Sequence, residues 1–430
     1  MSNSASWSSC LLGDVTYEST DRAGANADKL PVFGVDSAVG LTRVPKYQAA
    51  TLGKYKRIKY GMYAYNPMRL NIGSIGLCTS ELAEGLVSPD YVVFGCNPSR
   101  LCSRFFRHYI HGPQWRSWTE ASGVGSVRVR IYYSELARMP LALPSLHEQQ
   151  AIARILDTLN DKIDLIRQMN ETLEMVVRTL FRSWFVDFEP VRAKVEGLQP
   201  KGMNAATAAL FPDSFVDSKL GKIPSGWRVG SVRELCLKVE NGGTPKREIE
   251  GYWTPAEVPW LTSGEVRQQF VIQTEQSISQ NGFQNCSAKL WPAFTTVVAL
   301  YGATAGLATM LGVELCSNQA CCGLIPNDNS ACFLHQAILD SRTRLQQQTR
   351  GSAQQNLSQS IVADLECVIP TQQLLARFES SVRVLYLKCI EGINQSHTLA
   401  ALRDILLPKL LSGEVRIGDA EQAAGETNAI

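Results

Sequence analysis

The side chains of this 430-residue chain that could do chemistry do not assemble into a reaction centre. Asn66-Pro67-Met68 shares two residues with the Asn-Pro-Pro-aromatic loop of adenine methyltransferases, but the second proline and the aromatic ring are missing. No glycine-rich strand-to-helix turn for a methyl donor precedes it, so it reads as a polar turn after a strand. Pro212-Asp213 with Asp217-Ser218-Lys219 imitates a nuclease signature, yet three intervening residues in a linker cannot hold carboxylates and a lysine on paired strands. His147-Glu148 lacks a second histidine four residues on and reads as a helix start. His108 and His111 have no evident third ligand and read as a surface pair. No Walker lysine loop is present, so ATP chemistry is not encoded in this chain. The expectation is a protein that binds rather than one that catalyses.

Binding chemistry is concentrated in basic residues. Residues 1–144 hold 16 Lys and Arg against 10 Asp and Glu, whereas 145–190 hold 5 against 8. The densest run is Lys54, Lys56, Arg57 and Lys59, interleaved with Tyr55, Tyr60, Tyr63 and Tyr65 and followed by Arg69. Arg43 and Lys46 precede it, and Arg100, Arg104, Arg107, Arg128 and Arg130 follow. Such cations neutralise phosphates, and Arg, Asn and Gln read base edges in the major groove. A solvated strand face is the competing reading. In 228–370 the count is 10 basic against 12 acidic, so charge gives no direction there. The candidates are Thr244, Lys246 and Arg247 in NGGTPKREIEGYW (241–253), Arg267, and Gln354, Gln355 and Asn356 in RGSAQQNLS (350–358). A packing turn is the competing reading of this last loop.

Such residues need elements to hold them, and the clearest begins after Pro144. Apolar residues recur at Ile152, Leu156, Leu159, Ile163, Ile166, Leu173, Val177, Leu180 and Trp184, a heptad seam with Asn170 as its one polar position. Ser145 and Glu148 form a capping box at its start, and the helix stops before Pro190. About 40 residues give roughly 60 Å of helix, too long to stand without a partner. A second run follows Pro370. Shifted by 226, Ile152 falls on Phe378, Leu156 on Val382, Ile163 on Cys389, Leu180 on Leu406 and Trp184 on Leu410. Pro408 and Gly413 are expected to end it. If the helix midpoints align antiparallel, Asn170 lies opposite Lys388–Gly392 and fixes the register.

The repeat extends upstream. MPLALP (139–144) matches LECVIP (365–370), Gly125-Ser126 matches Gly351-Ser352, GSIGLC (73–78) matches GATAGLA (302–308), and Ser88-Pro89 falls on Ser317-Asn318. Trp7 and Leu12 recur as Trp227 and Val232. The chain therefore reads as a tandem duplication, each copy a strand-rich α+β unit followed by a long helix. Strand runs are RIKYGMYAYN, DYVVFG, SVRVRIYY, TTVVALYG and QACCGLIP; helices are expected near Arg100–Tyr109 and Phe333–Gln348. Residues 190–227 read as a linker with one short helix at Ala205–Leu210, and 418–430 as a frayed tail.

Composition agrees with this reading. Hydrophobic residues make up 45% and charged residues 19%, enough for real cores, and the net charge is +2. The 12 cysteines include no C-x2-C pair, which argues against a zinc ribbon. The first residues lack a signal-peptide pattern and no stretch approaches 18 apolar residues, so a reduced, cytoplasmic protein without a membrane span is expected.

Several of these segments resemble type I restriction–modification specificity (S) subunits. LPSLHEQQAIARILDTLNDKID, LFRSWFVDFEPVRAK and FPDSFVDSKLGKIPSGW are similar to that family's central conserved region. NGGTPKREIEGYW, VPWLTSGEV, YGATAG, CSNQACCGLIP, RGSAQQNLS and LLPKLLSGEVRI are similar to its second target-recognition domain and distal helix. The first copy departs, lacking the Gly-Gly-Thr-Pro loop. The resemblance implies target-recognition domains at 1–144 and 228–370, a central conserved helix at 145–189, a linker at 190–227, a distal helix at 371–413 and a tail at 414–430. It implies an α+β fold in which the two helices form an antiparallel coiled coil and each domain reads half of a bipartite double-stranded DNA site. Two modification (methyltransferase) subunits would dock on the helices, and restriction (helicase-nuclease) subunits would join where the system has them. S-adenosylmethionine would belong to the former, ATP and Mg to the latter, and none to this chain. The rival reading is a coiled-coil scaffold whose globular ends bind protein.

Overall fold

A computed structural model describes residues 7–43, 51–122, 130–348 and 356–426. The chain divides into two compact units, residues 1–164 with 397–430, and residues 165–396. This division cuts each long helix at its middle, instead of separating the helices from the globular copies as the sequence boundaries do. In the second unit the seam residues Val177, Trp184, Phe378 and Val382 belong to one core with Phe333 and Leu334 of the globular part, so compactness there follows packing and not chain order.

In the first unit, Thr16–Ser19, Val92–Cys96, Met62–Tyr65 and Ile75–Leu77 form an antiparallel sheet in that spatial order. Alternating residues put Tyr63 and Phe94 on one face, stacked at 5.2 Å, with Phe106 edge-on to Tyr63 at 5.3 Å. Phe106 belongs to the helix Ser103–Tyr109, which covers this face. Phe33, Ile58, Ala64, Val87 and Val93 form a second cluster. Ser8–Leu11 pairs separately with Pro140–Leu143.

The second unit repeats the plan. Cys236–Asn241, Cys321–Pro326, Thr296–Ala299 and Ala308–Leu311 form an antiparallel sheet in the same order, extended by a parallel strand Phe270–Val271. The helix Ala331–Asp340 follows, and Arg228–Ser231 pairs with Glu366–Ile369 just as Ser8–Leu11 pairs with Pro140–Leu143. The duplication is thus one of topology as well as of sequence.

The central helix runs Leu146–Phe185 and the distal helix Gln372–Ser412. The capping box forms: the Ser145 amide donates to Glu148 Oε2 at 3.0 Å, and the Glu148 amide to Ser145 Oγ at 3.3 Å. Within the second unit Phe378 packs on Phe185 and Trp184, at 5.0 and 5.8 Å between ring centres. Further along, Asn170 Nδ2 donates to the Cys389 carbonyl at 3.2 Å. A Cβ on Gly392 would sit 2.9 Å from Asn170 Oδ1, so the missing side chain lets the backbones approach. Within the first unit Arg403 donates to Asn160 Oδ1 at 3.0 Å. Residue numbers fall along one helix as they rise along the other, which is antiparallel pairing.

Several expectations need correction. RIKYGMYAYN is two strands, Lys56–Lys59 and Met62–Tyr65, broken at Gly61 with φ +81°. SVRVRIYY is not a strand where it is described: Tyr133–Leu136 is a short helix, and residues 126–129 lie outside the described residues. The segment read as a linker is folded. It contains the helices Glu189–Val195 and Ala205–Ala209 and the hairpin Phe215–Ser218/Gly221–Pro224, and buries Val191, Phe211 and Trp227. Its aromatics follow no period because each is fixed by tertiary contact. Residues Ile417–Glu426 of the expected tail form a helix that buries Ala420. Pro408 does not stop the distal helix, since burial of Leu410 and Leu411 beyond it offsets one lost hydrogen bond. The stop is Gly413, φ +74°, where the Glu414 amide returns to the Lys409 carbonyl at 2.9 Å. All twelve cysteines are free thiols.

His108 is not a surface residue. It is buried and hydrogen-bonds Asp157 at 2.7 Å, where Arg107 also arrives at 2.6 Å and Arg104 at 2.5 Å. Burial alone would raise the Asp157 carboxyl, but His108 and the two guanidinium groups outweigh it and hold it below the ordinary carboxylate range. The cluster clamps the helix Ser103–Tyr109 to the central helix. Asp157→Ala should therefore destabilise the protein by roughly 3 kcal/mol, since it strands a buried His108 beside two cations that retain some solvent. A depressed folded pKa gives stability that is present above the ordinary carboxylate value and lost as pH falls through the folded one. Urea unfolding of both proteins should show the gap full at pH 7 and shrinking below about pH 4.

Candidate nucleic-acid interface

Antiparallel order fixes which loops share an end of each sheet. In the first unit Tyr65 pairs with Val92 and Ser19 with Val93, so residues 20–22, 66–74 and 88–91 emerge together. The Ile131 amide donates to the Pro67 carbonyl at 3.0 Å and brings residues 130–132 to the same end. Lys56 Nζ donates to the Tyr91 carbonyl at 2.6 Å, and Arg22 Nη1 to the Lys54 carbonyl at 3.1 Å. Burial lowers the pKa of the Lys56 ammonium, with Glu18 opposing. Lys54, Lys56 and Arg69 of the sequence set therefore meet here, joined by Arg22 and by Arg130, which donates to Tyr132 Oη at 3.2 Å. Lys54 and Arg69 are exposed.

The remaining basic candidates are divided by their partners. Arg57 is held by Glu84 at 2.5 Å, and Lys59 lies 3.8 Å from Asp21. Arg43 donates to the Glu81 carbonyl at 2.8 Å, and Arg100 to the Asp14 carbonyl at 2.9 Å. Arg104 and Arg107 serve Asp157 and form part of the internal clamp. Lys46, Arg128, Gln354 and Gln355 lie outside the described residues, as do the matched pairs Gly125-Ser126 and Gly351-Ser352.

The second unit presents the equivalent end. Asn241 pairs with Cys322 and Ala299 with Cys321, so loops 242–249, 300–307 and 317–320 emerge together. Asn356 bridges to Tyr301 in an antiparallel pair, and Thr244 Oγ1 donates to Gln319 Oε1. A Cβ on Gly242 would lie 2.2 Å from the Asn318 carbonyl, so the Gly-Gly pair is required for the loop to lie against residues 317–318. Lys246 is exposed and its carbonyl accepts from Trp253 Nε1 at 3.2 Å. Arg247 lies over the Trp253 ring at 3.9 Å and donates to Gln276 Oε1 at 3.2 Å. Arg267 is not brought to this group. It lines a cavity with Glu171, Glu174 and Arg178 of the central helix, where burial and then Glu171 push Glu174 up to about 7.

Both ends offer exposed cations, amides and aromatic hydroxyls, an arrangement suited to phosphates and base edges. Among the described residues no His, Cys, Asp or Glu cluster could hold a metal ion, and no helix is long and apolar enough to cross a membrane. Arg22 and Gln319 were missed in the sequence. Arg22 lies far from the dense run along the chain, whereas Gln319 had a signal in the repeat that matches Ser88-Pro89 with Ser317-Asn318.

Residues 103–175 and 224–383 match the family described as the type I restriction modification DNA specificity domain. The chain is 26% identical over 460 residues to the type I restriction enzyme HindI specificity subunit of Haemophilus influenzae, covering 95% of this chain and 99% of that one. It is 28% identical over 313 residues to the MjaIX specificity subunit of Methanocaldococcus jannaschii, covering 68% and 64%. In fold it is similar to the crystal structure of a type I restriction–modification S subunit from M. genitalium, with a TM-score of 0.60, 13% identity, and 95% and 97% of the two chains covered.

Lys54→Ala and Arg69→Ala should each weaken duplex binding by the assembled complex uniformly across sequences. Each should also reduce the slope of log K against log salt by about 1. Arg57→Ala, whose charge is already matched by Glu84, should change that slope less; binding titrations over a salt series measure all three.

Proposed function

The chain belongs to the type I restriction–modification DNA specificity family, and from that premise we propose that its two equivalent sheet ends are two reading heads, each engaging one half of a bipartite, asymmetric duplex site. It is the DNA-specificity subunit of such a system. The observation that carries the two-headed reading is the duplicated sheet: the same strand order, with polar and basic loops at the same end, occurs once in each unit. Two different loop sets on one plan recognise two different half-sites, which makes the whole site asymmetric.

The paired helices set the gap between the half-sites. Roughly 60 Å of helix corresponds to one to two duplex turns at about 34–36 Å each. Modification subunits dock on the helices and carry out adenine methylation, which requires the base to leave the stack. Restriction subunits join where the system encodes them. This chain supplies the address and not the chemistry: Asn66-Pro67-Met68 lacks the second proline and the aromatic ring of the methyltransferase loop. It binds no cofactor of its own; S-adenosylmethionine is held by the modification subunit, and ATP and Mg by the restriction subunit.

Sequencing methylated adenines in DNA from cells that carry the complex tests this directly. The expected result is one motif made of two short half-sites separated by a fixed, unread gap. A short uninterrupted motif, or no methylation dependent on this chain, would favour the scaffold reading, as would duplex affinity that ignores both sequence and salt.

A further inference from the structure

We propose that Arg247 is a preorganised phosphate anchor of the second reading head, and that Trp253 and Gln276 are its positioning residues. This rests on the DNA-reading function proposed above. The Arg247 guanidinium lies 3.9 Å from the centre of the Trp253 ring and 5.1 Å from that of Trp260. Its Nη1 donates to Gln276 Oε1 at 3.2 Å. Two indoles and a neutral amide therefore fix the plane of the cation without cancelling its charge. No carboxylate pairs with it among the described residues, whereas Arg57, Arg104, Arg107, Arg228, Arg233 and Arg383 all have one.

The bracket is itself rigidly built. Trp260 is buried in the strand Val258–Leu261 and donates from Nε1 to the Gly243 carbonyl at 3.0 Å. Trp253 meets Trp260 edge-on at 5.2 Å and donates to the Lys246 carbonyl at 3.2 Å. The segment leading to the cation is thus tied at Gly243 and at Lys246 to the rings that hold it. A guanidinium has five N–H donors, and one bond to Gln276 leaves a bidentate pair for an acceptor. Holding an arginine side chain in place beforehand removes part of the ordering cost of binding.

Phosphate is favoured over a guanine edge by what surrounds Arg247. Residues 228–370 carry 12 acidic against 10 basic residues, so this domain needs locally fixed cations to hold a polyanion. Lys246, adjacent in sequence and exposed, adds a second cation to the same loop, against Glu248 and Glu250. The amide side chains suited to base edges, Gln319 and Asn356, emerge instead with the sheet-end loops.

The test uses the complex assembled with its modification subunits and two duplexes, one carrying the methylated motif and one with that motif scrambled, titrated over a salt series. Arg247→Ala should weaken both duplexes by the same factor, about tenfold, and reduce the salt slope by about 1. Trp253→Leu keeps the charge but frees it, so it should weaken both by a smaller common factor and leave the slope unchanged. Gln276→Ala should act as Trp253→Leu does and carries the comparison if the tryptophan variant unfolds, as read from its thermal transition. Loss of discrimination at a single G·C position in Arg247→Ala, with the slope unchanged, would overturn the anchor in favour of base reading. Unchanged affinity for both duplexes would overturn any DNA role for Arg247. A wild-type complex that does not distinguish the two duplexes would instead refute the reading-head function itself.

Discussion

A helix of forty residues with one apolar seam cannot persist alone in water, because its stability comes from burying that seam and not from its own hydrogen bonds. The structure depends on this constraint. The central helix Leu146–Phe185 finds its partner in the distal helix Gln372–Ser412 of the same chain, and the pairing runs antiparallel from Phe185 on Phe378 to Asn170 on Cys389. Each unit contains one half of each helix, so neither core can be completed without both copies of the duplication. Asn170 is the costly point of the seam: its Nδ2 is satisfied by the Cys389 carbonyl, while its Oδ1 is buried without a partner against Gly392. A polar group retained at such a position disfavours slipped pairings, in which it would lose its one hydrogen bond.

Electrostatics divides into internal and external work. Counting charges along the first copy gives a basic excess, but part of it is taken up by ion pairs within the protein. Arg104, Arg107 and His108 converge on Asp157 and join the helix Ser103–Tyr109 to the central helix. Arg57 is matched by Glu84. Without a carboxylate partner among the described residues, and gathered at the sheet end, are Lys54, Lys56 and Arg69 with Arg22 and Arg130. In the second copy, whose total charge suggests nothing, the cation at Arg247 is kept by rings and an amide and not by acids.

The helices and the duplication were legible because each is a periodic signal. The heptad from Ile152 to Trp184 and its shifted copy leave little freedom, and the matched segments 139–144 and 365–370 became equivalent strands. The folded segment between the copies was not legible. Phe188, Phe211 and Trp227 are buried by contacts distant in sequence, and neither a period of 2 nor one of 3.6 announces them. The helical stop at Gly413 was legible, whereas the stop that Pro408 led one to expect does not occur, since backbone preference was outweighed by the burial of Leu410 and Leu411. In the candidate interface, residue types were readable but partners were not. Only pairing register shows that residues 20–22, 66–74 and 88–91 share an end, and only a through-space contact shows that Arg107 is occupied.

If the paired helices measure the site, changing their length must change the gap. One heptad inserted after Ile163 in the central helix and one after Leu399 in the distal helix would preserve the seam while lengthening the pair by about 10 Å. That is about 3 base pairs of duplex. Sequencing methylated adenines made by this variant complex should show both half-sites unchanged and the gap lengthened by about 3 base pairs. Methylation of the original motif with its original gap would contradict the measuring role of the helices.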